Sequence, residues 1–209
     1  MINTDACGKG STKYGRTSDH IISLKVVLSD GSLWETNEMT FNMLKTLTKE
    51  KSKKGLISSQ IYSTCTTHQT LINEKFNNQI RFSSGYNLKK TLDFKKKIWR
   101  PQYLFSGAEG TLGFISEAKL KLTPIPKYYS LIIISYPSFY DMISTNLELF
   151  DLNPCAIEMM DETLLTFAKQ DYNTLQLLKL LSKEGKAINL IEITNNNLLT
   201  FKDQIKKIN

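Results

Sequence analysis

Ser106-Gly107-Ala108-Glu109-Gly110-Thr111-Leu112-Gly113-Phe114-Ile115-Ser116-Glu117-Ala118 is the stretch on which the reading of this chain turns. Its glycines recur at every third position, directly before a run that alternates as a strand does. Glycine has no Cβ, so it allows sharp turns and close approach of a ligand to the main chain. The usual dinucleotide fingerprint is excluded, because a strand rather than a helix follows the glycines. What is left is a backbone surface shaped around a ligand and anchored on a strand over Phe114 to Leu122.

Working outward, Thr123-Pro124-Ile125-Pro126 closes that strand with an extended connector that cannot be helical, and a domain boundary is placed there. Toward the N-terminus, residues 20 to 28 alternate, with Ile22, Leu24, Val26 and Leu28 on one face. Ser29-Asp30-Gly31-Ser32 and Leu33-Trp34-Glu35-Thr36 complete a hairpin. Helices are expected over 38–50 (Phe41, Leu44, Leu47) and over 56–76. The stripe of the second runs Ile57, Ile61, Cys65, His68, Ile72, Phe76, which would leave His68 partly buried. Residues 81–100 are irregular and Lys-rich, with Phe94 and Trp99 dipping into the core. Beyond the boundary, a buried strand over 130–136 precedes a helix over 139–150, aligned on Phe139, Ile143 and Leu147. A strand over 156–160, a long helix from Asp161 with Leu164, Phe167 and Ala168 on its apolar face, and a strand over 188–193 follow. This order predicts a small α+β sandwich, and there is no internal repeat.

The composition is that of a folded protein, 41% hydrophobic and 10% aromatic over 209 residues. The net charge of +7 fits a Lys-rich solvated surface. No nucleic-acid recognition module accompanies it, so nucleic acid is not an expected partner. Three widely spaced cysteines and two distant histidines give neither a disulfide framework nor a metal site. No secretory signal or membrane-length apolar run is visible, which makes cytoplasmic placement the default and leaves peripheral attachment to the inner membrane open.

Two further segments make the glycine run specific. Asn3-Thr4-Asp5-Ala6-Cys7-Gly8 and Tyr14-Gly15-Arg16-Thr17-Ser18-Asp19-His20 stand at the head of the chain, and Gly85-Tyr86-Asn87-Leu88 precedes the run. Together these resemble the FAD-linked oxidoreductases of the vanillyl-alcohol oxidase and p-cresol methylhydroxylase (PCMH) type, in their D-2-hydroxyacid dehydrogenase branch. The resemblance spans nearly the whole chain, most closely over 2–35 and 104–127. Cys7 stands where that family usually has Ser or Thr, and Asn87 where it has Asp.

The resemblance implies an α+β fold: the second half of a PCMH-type FAD-binding domain (1–127), followed by the start of an α+β cap domain (128–209). It implies that Asn3, Thr4, Asp5, Ala6, Cys7, Gly8, Tyr14, Gly15, Thr17 and Asp19 lie along FAD. Glu109, Gly110, Thr111, Leu112, Gly113, Phe114 and Ile115 would contact the nucleotide, mostly on its adenosine side, although Glu109 could instead bond to loop N–H groups. The activity implied is oxidation of a D-2-hydroxyacid, of the D-2-hydroxyglutarate or D-lactate class, to the 2-oxoacid by hydride transfer to flavin. The catalytic base is not identified. The family's pyrophosphate loop would precede Met1 and its substrate arginine and histidine motif would follow Asn209. The chain therefore reads as an internal fragment whose other parts would be encoded by neighbouring frames. Iron–sulfur ligation in the family's long members falls outside this span. An inactive remnant, or a basic interaction module without catalysis, stands as the alternative.

Overall fold

The computed structural model describes residues 1–76, 85–178 and 185–208. They form mixed helix and sheet in two compact units. The N-terminal unit is Met1–Gly8 with Gly15–Thr123, and the C-terminal unit is Lys9–Tyr14 with Pro124–Asn209. The short helix α1 (Ser11–Tyr14) thus belongs to the C-terminal unit.

In the N-terminal unit, β1 (Ile21–Val27) is the middle of a three-stranded antiparallel sheet. It pairs with β2 (Leu33–Thr36) through the expected hairpin and, on its other side, with β6 (Phe114–Leu120). The register of β1 against β6 shifts at two places, between Lys25 and Val26 and at the start of β1. Ile21 pairs with Leu120 and Ser23 with Lys119, so Ile22 is an extra residue in a bulge. The bulge turns Ile21 inward and leaves Ile22 46% exposed, whereas Leu24, Val26 and Leu28 are buried as expected.

A second, minute sheet had no sequence signal. It runs β3 (Met39–Thr40), β5 (Ile98–Trp99), β4 (Leu92–Asp93), each strand two residues long. Its role is to seat Trp99, fully buried and packed near Trp34, which in turn meets Phe105 edge-on. Helix α2 (Phe41–Leu47) is capped by Thr40 and buries Leu44 and Leu47. The expected helix over 56–76 is two helices, α3 (Lys53–Thr67) and α4 (Gln69–Lys75). The backbone leaves helical angles at His68 (φ −110°, ψ 25°), and that side chain is exposed instead of partly buried. Ser52 caps α3 three residues earlier than the apolar stripe indicates, because Lys53 and Lys54 are polar yet helical. Helices α5 (Leu88–Thr91) and α6 (Gln102–Phe105) complete the unit. Residues 81–84 of the irregular stretch lie outside the described residues.

The C-terminal unit is a three-stranded antiparallel sheet in the order β7 (Tyr128–Tyr136), β9 (Ala187–Asn195), β8 (Ala156–Met160). Helix α7 (Phe139–Phe150) follows β7, α8 (Glu162–Ala168) and α9 (Tyr172–Leu178) follow β8, and α10 (Leu198–Lys206) closes the order. Only the central strand β9 is buried along its length. β7 is half-buried, with Ile132 and Ile134 in the core and Tyr129 and Leu131 outside it.

Two helical faces differ from expectation. In α7 the buried residues are Met142 and Leu149, while Phe139, Ile143 and Leu147 point outward. In α8 it is Leu165 that is buried, while Leu164 and Phe167 are exposed. The long helix expected from Asp161 ends at Ala168 and a separate helix, α9, begins at Tyr172; residues 179–184 lie outside the described residues. No described helix is long and apolar enough to cross a membrane.

Candidate functional site

The head of the chain and the glycine run, a hundred residues apart in sequence, meet in the N-terminal unit. The Gly107 N–H donates to the Ile2 carbonyl at 3.0 Å and the Glu109 N–H to the Asn3 carbonyl at 2.8 Å. Between and beside them opens a cleft of about 320 Å³. Thr4 and Asp5 line one part of it, Gly85, Tyr86 and Asn87 another, and Ser106, Gly107, Ala108, Glu109 and Thr111 the rest.

The glycine loop needs left-handed backbone. Gly107 and Gly110 have φ of 80° and 79°, and Glu109 between them has 51°. Its shape is fixed internally by Thr111, whose N–H and hydroxyl both donate to the Ala108 carbonyl, at 2.9 and 2.6 Å. That uses the only hydroxyl proton of Thr111, so the 2.9 Å contact with Tyr86 has the tyrosine O–H as donor. Tyr86 therefore ties the 85–88 segment to the glycine loop. Asn87 caps α5, its side chain accepting from the Lys90 N–H at 3.1 Å.

The head loop is held from beneath by a buried ion pair. Asp5 is a non-glycine residue at φ 43°, and its carboxylate accepts from the Ser18 N–H at 2.8 Å and the Ser18 hydroxyl at 3.1 Å. The Arg16 guanidinium lies 3.2 Å from the same carboxylate and also donates to the Asp5 carbonyl. Thr17 donates to the Ala6 carbonyl through its N–H and hydroxyl. Asp19 accepts from the Arg16 N–H at 2.9 Å and from Lys90 at 2.5 Å. Burial alone would lift the Asp19 carboxyl. The Arg16 N–H and the Lys90 ammonium outweigh it and hold Asp19 below the usual carboxylate range. Gly15, at φ 82°, passes so close to Asp19 that a Cβ would lie 2.7 Å from its carboxylate oxygen.

The residues expected along FAD thus sort into distinct positions. Thr4, Asp5, Glu109 and Thr111 line the cleft, and Asn3 holds the loop through its carbonyl. Ala6, Gly15, Thr17 and Asp19 brace the loop from behind, with half-buried Cys7 and exposed Gly8 nearby in sequence. Tyr14 belongs to the C-terminal unit, where its hydroxyl lies 3.3 Å from the Thr194 hydroxyl and Lys13 donates to the same group.

The glycine run itself divides in two. Leu112 and Ile115 pack against the core, and Gly113 crosses β1 so closely that a Cβ would lie 2.7 Å from Val26 and 2.8 Å from the Val27 carbonyl. Phe114 is 71% exposed on β6. The third glycine therefore serves strand packing. Glu109 joins the head loop through its backbone N–H while its side chain is exposed at the cleft. Ser106, Gly107 and Ala108 line the cleft although the site expected from sequence begins at Glu109. Arg16 was not foreseen either, because a buried arginine carries no local signal. Among the described residues, no group of three or more His, Cys, Asp or Glu could hold a metal ion.

No family model matches the chain. Over its full length it is 32% identical to the D-2-hydroxyglutarate dehydrogenase of Pantoea ananatis and 28% identical to that of Escherichia coli, covering 21% of each. Over 94% of its length it is 33% identical to the Haemophilus influenzae enzyme of the same name, covering 20% of it. Its sequence relatives include D-2-hydroxyglutarate dehydrogenases and D-lactate dehydrogenases. The chain spans about a fifth of the length of these dehydrogenases. Among solved structures it shares its fold with an alkyldihydroxyacetonephosphate synthase, with a TM-score of 0.56 at 16% identity, over 99% of this chain and 30% of that one.

Proposed function

We propose that this chain forms one wall of the FAD site of a D-2-hydroxyacid dehydrogenase, with D-2-hydroxyglutarate as the substrate class its relatives favour. In this reading residues 1–127 are the later part of a PCMH-type FAD-binding domain, and residues 128–209 begin the cap domain. The observation that carries it is the cleft between the head loop and the glycine loop, formed by the two segments that match the flavin family in order and spacing.

The lining residues fit part of the cofactor. Small-molecule sites run from about 300 to 1,000 Å³, so a cleft of this size takes a portion of a dinucleotide. Thr4, Ser106 and Thr111 offer hydroxyls, Gly107 and Ala108 clear space, and Tyr86 presents an aromatic edge. None of the described lining residues is Lys or Arg, and Glu109 is a carboxylate. Such a wall favours a neutral, hydroxyl-bearing group over a pyrophosphate, which supports the adenosine side. FAD would supply the hydride-accepting chemistry when bound. The residues of this chain bind and orient it, with the Asp5–Arg16 pair, Thr17 and Asp19 fixing the head loop. Neither His20, half-buried beside β1, nor exposed His68 lies in the cleft lining, so the substrate base is assigned to no residue of this chain.

The test is an amide-resolved NMR titration of the chain with millimolar FAD, with adenosine and riboflavin as separate arms. Shifts concentrated at Thr4–Asp5, Tyr86–Asn87 and Gly107–Thr111, reproduced by adenosine and not by riboflavin, are expected. Shifts confined to other regions, or none with FAD, would sink the reading.

A further inference from the structure

The sheet of the C-terminal unit runs β7-β9-β8, so the last of its strands in sequence lies between the first two. Both outer strands pair antiparallel with β9, which makes β7 and β8 parallel to each other, joined by a crossover through α7. Residues paired across strands share a face, which puts Ile132, Ile157 and Ile191 on one side of the sheet. Leu149 of α7 packs on that side, and so do Phe201 and Ile205 of α10.

Strand–helix–strand crossovers keep one hand. β9 runs opposite to β7, and α7 and α10 cover the same face. Since α7 carries the chain from β7 toward β8, α10 must carry it from β9 in the other direction, toward β7. The contact of Phe201 with Tyr128 of β7, with ring centroids 5.8 Å apart, agrees with this. A strand entered from α10 would run parallel to β9. It would pass over β7 and come to rest on the outer edge of β7, antiparallel to it.

The two edges of the sheet are built unequally. β8 is five residues long and carries Glu158, and short, charged edges are those that proteins leave open. β7 has nine residues with neither a charge nor a proline, and among the described residues no strand pairs with its outer side. A long uncharged edge is a template for one more strand.

We infer that the outer edge of β7 receives one further strand, antiparallel to it, from the polypeptide C-terminal to the matched span in the D-2-hydroxyglutarate dehydrogenase relatives. About four-fifths of the Pantoea ananatis enzyme lies outside that span. The main chain of β7 supplies the bonds, and the arriving strand turns apolar side chains to the face that holds Ile132 and Ile134. This rests on the reading of residues 128–209 as the start of a cap domain and not on flavin binding, so a failed FAD titration leaves it standing.

The experiment extends the chain at Asn209 with roughly 20 residues from the C-terminal side of the matched span in the Pantoea ananatis enzyme, enough for a connection and a strand. Amide hydrogen exchange is then followed by NMR. Alternate N–H groups of β7, those turned away from β9, should exchange quickly in the chain alone. In the extended chain they should slow by about tenfold or more, with the outer N–H groups of β8 unchanged. Leu131→Pro and Ile132→Pro remove neighbouring N–H groups, which turn to opposite sides of the strand. The variant that removes the outward one should keep the β7–β9 pairing and abolish the added protection. Circular dichroism checks the fold, and the same segment is added as a free peptide if the extended chain does not fold. Unchanged exchange along β7, protection at the outer edge of β8 instead, or added protection that survives the outward proline would overturn the inference. So would sedimentation of the unextended chain as a homodimer whose outer β7 N–H groups are already protected.

Discussion

The two units bury their apolar side chains in different ways. The N-terminal unit gathers its strands and helices around one continuous core in which Trp34, Trp99 and Phe105 interlock. The C-terminal unit has two small clusters on one side of a three-stranded sheet and leaves Tyr129, Leu131, Phe139 and Leu147 in water. The first unit spends its polar residues internally, on the Asp5–Arg16 pair and the loop ties that shape a cleft. The second is a layer with an uncovered side. A binding wall can therefore be shaped within one unit while the other leaves large apolar side chains exposed.

The largest effect that would sharpen this contrast is loss of the central aromatic. Trp99→Ala should destabilise the chain by about 3–5 kcal/mol, read by urea titration, and a small effect would mean that the core is not where the contrast puts it. Arg16→Ala should come next. It strands the buried Asp5 carboxylate without its cation, at a cost of about 3–5 kcal/mol, and should broaden head-loop amide signals while leaving those of β9 in place. Gly113→Ala pushes a Cβ into Val26 and the Val27 carbonyl, a packing strain of about 1–3 kcal/mol. At Gly8, where a Cβ would meet nothing within 4 Å, the same change should be near neutral.

Asp19 gives a smaller, pH-dependent effect. Its carboxyl is lowered from the ordinary value of 3.8 in the folded chain. Its contribution is therefore present above the unfolded value and is lost as pH falls through the folded one. Asp19→Asn should flatten the acid limb of a plot of unfolding midpoint against pH below about pH 4, and an unchanged limb would remove Asp19 from the loop's support. Leu147→Ala should be the mildest, within about 0.5 kcal/mol in the isolated chain, as for surface positions. A loss of several kcal/mol would show that α7 is already covered.

Much of the layout was legible from periodicity. The hairpin, the strand after the glycine run, α7, β8 and β9 all follow from alternation or helical spacing. What was not legible depends on long-range placement. The bulge at Ile22 arises because β6 is one residue shorter there than β1, which no local pattern records. Two-residue strands around Trp99 are below the length at which alternation can be seen. The stripe Phe139, Ile143, Leu147 has correct helical spacing, but periodicity does not say which edge of the apolar arc meets the sheet. In the site, glycine spacing identified the loop, yet only the paired strands show that Gly113 packs on β1 while Gly107 opens the cleft. Tyr14 and Gly15 adjoin in sequence yet belong to different units, a division that no local pattern records.

The most direct measurement of the central claim is retention of flavin on reconstitution. The chain is combined with the parts of the Pantoea ananatis dehydrogenase outside the matched span, desalted, and its flavin absorbance followed on addition of D-2-hydroxyglutarate. The account predicts retained flavin that bleaches with substrate, and loss of both when Thr4→Trp fills the cleft in a chain that still folds. Flavin retained and bleached equally well with the cleft filled would contradict it.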